Sequence, residues 1–223
     1  MKKLLIVPLI LIACIVVAGC GGGSKSPAGP ETCTLNVTGL RDGSALLKDV
    51  SVKVVGGTQT YEGTTDASGN VTISSIPVGK YFIRFAKNGL ATTYVQKTLI
   101  SGTNTDKDRV ITPWSALDGA FLAGKYDSSI GNVLGGVYDS DGKTRLSGVS
   151  VSVSPAPKKM YYMIDGGSLD DSATATNDSG MFLLVLNNGT YTLTASGASK
   201  NFDPVQLTVT EPSLFMGFQL NAK

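Results

Sequence analysis

The chain has 223 residues, with 19 Lys and Arg against 17 Asp and Glu, 27 Gly, three Cys and no His. Without His, no Ser-His-Asp or Cys-His nucleophile system, no His-bearing zinc site and no haem with a His ligand is available. The near-neutral balance offers no electrostatic footprint for nucleic acid, and the length accommodates one or two domains.

Lys2 and Lys3 precede an apolar run from Leu4 to Val17 that is interrupted only by Pro8. A basic start, a short apolar segment and small residues after it predict a cleaved secretory signal over residues 1–19 rather than a membrane span. Its removal takes two Lys and no acid, leaving seventeen basic against seventeen acidic residues. The run ends in Val17-Ala18-Gly19-Cys20, which resembles the lipobox of bacterial lipoproteins. The resemblance implies cleavage before Cys20, acylation of its thiol and attachment to a membrane through that residue. An ordinary secretory peptide with an incidental Cys, or an uncleaved anchor, is the alternative. Gly21 rather than Asp follows Cys20. In lipoproteins of enteric bacteria this goes with the outer membrane, so the expected location is the cell envelope of a Gram-negative bacterium. Residues 20–32 are rich in Gly, Ser and Pro and read as a flexible tether with a reach of about 20 Å. With Cys14 in the signal and Cys20 acylated, Cys33 is left alone. It reads as a buried inert thiol, with pairing between chains as the alternative.

The remainder reads as two copies of one β unit, over residues 33–112 and 131–223. Asp49 to Val54 and Gly148 to Val153 both alternate polar residues with Val, the pattern of a half-buried strand. Each follows a turn, Arg41-Asp42-Gly43 or Asp139-Ser140-Asp141-Gly142, and a Leu (Leu46 or Leu47, and Leu146). Further on, Thr65-Asp66-Ala67-Ser68-Gly69 matches Thr176-Asn177-Asp178-Ser179-Gly180, an Asx-type turn closed by Gly. Apolar strands follow at Val71 to Ile73 and Met181 to Leu184. Then Gly79 to Phe85 matches Gly189 to Ala195, each alternating from a Tyr, Tyr81 or Tyr191, that reads as a core ring with a hydroxyl for the backbone. Strands at Tyr94 to Ile100 with Val110-Ile111, and at Val205 to Val209 with Phe215 to Leu220, close the two copies. First strands are expected at Thr34 to Thr38 and Asn132 to Tyr138.

These residues resemble the carboxypeptidase regulatory-like family. The second copy carries Gly136-Val137-x-Asp139, Leu146-x-Gly148-Val149, Thr176-x-x-x-Gly180 and Gly189-x-Tyr191. The first carries Leu46 or Leu47, Val50, Thr65-x-x-x-Gly69 and Gly79-x-Tyr81, with Asp49 where the family prefers Gly. The resemblance implies an all-β fold of two tandem Ig-like or transthyretin-like antiparallel sandwiches. It identifies a scaffold rather than an activity.

Residues 113–130, between the copies, hold Trp114, Leu117, Phe121, Leu122 and Tyr126, too apolar for a solvated linker. Ser115 is placed to cap a helical turn there. The segment is expected to pack on one or both sandwiches, with a Trp114–Tyr126 sugar platform as the alternative. Val50 and Val149 lie 99 residues apart, whereas Gly69 and Gly180 lie 111 apart. The second copy therefore carries about twelve extra residues within 154–174. That insertion contains Tyr161 and Tyr162, candidate ligand contacts if exposed, or else rings of a strand or hairpin covering a sheet edge. No catalytic residue, metal site or cofactor is expected. The Asp139-x-Asp141-Gly142 turn lacks the later acid of a calcium loop, and neither first strand supplies a Lys for an isopeptide bond. The function expected is therefore a non-catalytic, membrane-anchored binding module for an envelope polysaccharide, or alternatively a scaffold subunit of an envelope protein complex.

Overall fold

A computed structural model describes residues 31–117, 122–164 and 167–223. The signal, Cys20 with its proposed acylation, most of the tether, and Phe121 lie outside the described residues. The first half contains β1 (Thr32–Thr38), β2 (Arg41–Asp42), β3 (Ala45–Leu46), β4 (Ser51–Val55), β5 (Tyr61–Thr64), β6 (Val71–Pro77), β7 (Gly79–Ala86), β8 (Thr93–Leu99) and β9 (Gly102–Lys107). A one-turn helix, α1 (Trp114–Leu117), follows. The second half contains β10 (Gly131–Tyr138), β11 (Val149–Ser154), β12 (Lys159–Met163), β13 (Leu169–Asp170), β14 (Met181–Leu186), β15 (Gly189–Gly197), β16 (Val205–Val209) and β17 (Ser213–Asn221). The fold is all-β apart from that one helical turn, built as two β-sandwiches.

Alternation places the core. In β7, Tyr81, Ile83 and Phe85 point inward against Val52 and Val54 of β4 and Leu35 and Val37 of β1. In the second half, Tyr191 and Leu193 of β15 face Val149 and Val151 of β11 and Phe182 of β14. The repeat extends to single hydrogen bonds. Buried Thr65 accepts from the Val50 amide at 3.0 Å and donates to the Leu47 carbonyl at 2.7 Å. Thr176 does the same with Val149 at 3.1 Å and Leu146 at 2.8 Å. A backbone bend is thereby bonded internally in each copy, so no buried amide is left without a partner there. Gly69, at φ +70°, sits so close that a Cβ would lie 2.4 Å from the Leu40 carbonyl oxygen.

Not every pairing is antiparallel. β9 runs parallel to β1, and β17 runs parallel to β10. In each half the last strand returns beside the first after the chain has crossed between sheets, which leaves both running the same way. β9 lies at Gly102–Lys107, where the sequence carries no strand signal, because its residues are polar and only Asn104 and Asp106 are buried. Val110 makes only an isolated bridge with Arg41, although Ile111 is buried. β5 also escapes a hydrophobicity pattern, since Tyr-Glu-Gly-Thr buries no residue fully.

The halves are joined by strand pairing. β17 pairs in parallel with β8 through Leu214–Thr93, Phe215–Tyr94 and Met216–Val95. One sheet of nine strands results, ordered β13-β12-β14-β10-β17-β8-β7-β4-β5. The sheet β6-β1-β9 and the sheet β11-β15-β16 complete the two sandwiches. Paired residues share a face, so Phe215, in the core of the second half, lies on the same side as Tyr94, Arg84, Lys53 and Glu62, on the outside of the first. Leu214 shares the opposite side with Phe85 and Val52, in the core of the first half. The covered face of the sheet therefore changes side at the β17–β8 junction.

The inter-copy segment covers the face this change would leave open. Leu117 and Leu122 pack with Ala91 of the first half and with Tyr161, Leu183, Val185 and Leu214 of the second. Ser115 lies inside α1 rather than capping it, and the Ala116 amide instead bonds the Pro113 carbonyl at 3.0 Å. Asn132, fully buried, closes the segment: it accepts from the Asp127 amide at 2.9 Å and donates to the Asp127 and Ile130 carbonyls.

Candidate functional site

The residues singled out for ligand contact are placed by the insertion and the inter-copy segment. The insertion forms β12 and β13, which extend the edge of the large sheet beside β14. Successive residues of a strand face opposite ways, so its two tyrosines separate. Tyr162 enters the core of the second half at 4% exposure, where its hydroxyl accepts from the Val151 amide at 2.7 Å. Burial pushes its phenol pKa up. Tyr161 faces the inter-copy segment at 7% exposure, with the Lys125 ammonium 5.3 Å from its ring centre. As placed, neither ring offers a face to a ligand, and both take the role of a strand covering a sheet edge. Trp114 is half-buried and stacks on Tyr126 at 5.4 Å with 10° between the planes. The Tyr126 hydroxyl donates to the Trp114 carbonyl at 3.0 Å, so one face of each ring is taken by the other.

The Asp139–Asp141 turn is bonded within itself. Asp141 accepts from the Lys143 and Thr144 amides and the Thr144 hydroxyl, which hold its carboxyl down at about 2. Asp139 pairs with Lys200 at 3.0 Å. Among the described residues, no group of three or more His, Cys, Asp or Glu could hold a metal ion. Cys33 is buried in the first core, and burial raises its thiol pKa.

The densest cross-half chemistry is at the junction. Arg84 of β7 donates to both carboxylate oxygens of Glu211, at 2.5 and 2.8 Å, and the Tyr94 hydroxyl donates to the same carboxylate at 2.5 Å. The Arg84 bonds hold the Glu211 carboxyl below its ordinary range despite its partial burial. Burial, with Glu211 adding to it, pushes the Tyr94 phenol up to about 12. Beneath this latch, Tyr94 stacks on Phe215 at 4.5 Å, and Phe82 meets Phe215 edge-on at 5.5 Å and Phe218 face-on at 6.2 Å. A bidentate Arg–carboxylate pair over aromatic contacts fixes orientation as well as distance. The arrangement ties β7 and β8 of the first half to the segment that leads into β17 of the second. Sequence reasoning missed these residues because Arg84 and Glu211 are 127 positions apart and no local pattern links them.

No family model matches the chain, and no curated protein matches it in sequence. Among solved structures it overlays on the Bacillus anthracis TIE protein at 13% identity and TM-score 0.33, over 86% of this chain and 34% of that one. A Streptococcal ancillary pilin overlays at 19% identity and TM-score 0.31, over 86% of this chain and 63% of that one. The minor pilin of Streptococcus agalactiae overlays at 14% identity and TM-score 0.28, over 86% and 96% of the two chains. The chain thus spans about a third of the first of these and less than two thirds of the second.

Proposed function

We propose that the chain is a non-catalytic surface module of the bacterial cell envelope, tethered to a membrane through an acylated Cys20, whose two sandwiches act together in binding or assembly. The observation that carries this reading is the shared sheet. Two modules strung on a flexible linker move independently, whereas strand pairing, aromatic packing and the Arg84–Glu211 latch make one body that holds a fixed spacing and orientation. A rigid spacer of this kind suits a scaffold subunit. The regulatory-like resemblance in both halves and the lipobox-like Val17-Ala18-Gly19-Cys20 support an appended, exported, anchored module.

Two measurements on cells test it. Metabolic labelling with a clickable fatty acid is expected to mark the wild-type chain and not Cys20→Ala; equal labelling of both overturns the anchor. Crosslinking on intact cells is expected to trap the chain with discrete envelope partners. A chain that crosslinks to nothing while correctly exported overturns the assembly role.

A further inference from the structure

At the junction, the sheet β11-β15-β16 ends in β16, which pairs with no further strand among the described residues. It stands as a step above the outer face of β7 and β8. Below that step lies a cleft of about 540 Å³, within the size range of small-ligand sites. Its lining is drawn from both halves: Lys80 and Gln96 from the first, Gln206, Gln219 and Asn221 from the second. The cleft exists only because β17 has paired with β8.

Its chemistry is specific in kind. Four carboxamides converge, and each carries donors and an acceptor, the complement of a hydroxyl that does both. Gln96 is pre-set, since its Oε1 accepts from the backbone N–H of Gln219 at 2.8 Å. Asp203 is already paired with Lys223 at 2.6 Å. Lys80, by contrast, lines the cleft exposed and has no ion-pair partner among the described residues. No aromatic ring lines it, so recognition there runs through hydrogen bonds and one charge.

We infer that this cleft binds a polysaccharide segment bearing a carboxylate, of the uronic acid type, with Lys80 taking the carboxylate and Gln206 and Asn221 the ring hydroxyls. This rests on reading the chain as an exposed binding module. The test is calorimetric titration of the full chain in detergent with an oligogalacturonate, a neutral galacto-oligosaccharide of equal length, and an oligoglutamate. The oligogalacturonate is expected to bind saturably and about tenfold more tightly than the neutral sugar, the size of one charge-assisted hydrogen bond. Lys80→Gln is expected to erase that preference, and Gln206→Leu to weaken both sugars. Lys53→Gln, on the same face but outside the cleft, is expected to change neither. Circular dichroism and the unfolding midpoint establish that each variant is folded. Equal affinity for the neutral sugar, equal affinity for the oligoglutamate, unaltered binding in both cleft variants, or no binding at all each overturns the inference. Absence of binding in a chain that is still acylated and still crosslinks on cells removes the cleft alone and leaves the module reading in place.

Discussion

The last strands of the two halves occupy the same place in the same blueprint, and their residues could hardly differ more. Leu35 of β1 pairs with Asn104 of β9, and Val133 of β10 pairs with Phe215 of β17. Continuing along the strands, Thr105 and Asp106 stand where the second half has Met216 and Phe218, with Gly217 bulged out between them at φ +66°. Asp106 is held by Arg109 at 2.8 Å, with Lys97 4.0 Å away. The polar strand stays at an edge, where ionic side chains discourage further pairing. The apolar one is buried against β8. One fold thus yields either an edge or a joint, and the side chains at three matched positions distinguish the two.

A second contrast lies in volume. In the first half Val37 pairs with Val71; at the corresponding place in the second, Gly135 pairs with Phe182. A Cβ on Gly135 would stand 2.3 Å from the Phe182 ring. Two medium side chains have become one small and one large, which keeps the space filled.

The most damaging way to test the joint is to give β17 the residue of β9. Phe215→Asn removes a buried ring from the second core and from the Tyr94 stack, and is expected to cost about 3–5 kcal/mol. Denaturant unfolding should then split into two transitions, one per half; a single transition with an unmoved midpoint would contradict the joint. Next comes Gly135→Ala, expected to cost about 1–3 kcal/mol through overpacking. Adding Phe182→Leu should recover part of that loss, which a double-mutant cycle measures.

Glu211→Gln is expected to cost about 1–2 kcal/mol near neutral pH, because the pair is partly exposed and its Arg84 partner keeps some solvent. The sign with pH follows from the lowered carboxyl. A carboxyl depressed on folding adds stability that is fully present above its ordinary value near 4.5 and is lost as pH falls through the lower folded value. The gap in melting temperature between wild type and Glu211→Gln should therefore close below about pH 4; a gap that widens in acid would contradict the latch. The smallest effect concerns Asp49, at φ 57° where the second half has Gly148 at φ 69°. Asp49→Gly relieves a left-handed residue but loosens the unfolded chain, for a net gain of about 0.5 kcal/mol. A lowered midpoint would show that Asp49 does something its twin does not.

Much of this architecture is legible locally. Val at alternate positions in β4 and β11, Tyr81 and Tyr191 at the start of β7 and β15, and the Asx turns closed by Gly69 and Gly180 each report an element from a few adjacent residues. β9 and β5 were not legible, since an edge strand made of Thr, Asn and Asp or of Tyr, Glu and Gly carries no apolar alternation. The cleft around Lys80 and Gln206 was equally hidden, because its sides are contributed by strands far apart in the chain.

What the amino-acid order determined by itself was the strands that carry apolar alternation, their inward faces and the twofold repeat, because backbone preference and side-chain alternation act within a few residues. Which strand lies beside which was decided only in three dimensions. The pairing of β17 with β8, the change of the covered face at that junction, and the burial of Tyr161 and Tyr162 on opposite sides of one strand all depend on contacts between distant segments. In the first half, the strand after β4 pairs with β4; in the second, the insertion carries the strand after β11 over to β14. A dozen extra residues let the chain reach the other sheet, and complementarity of distant surfaces did the rest.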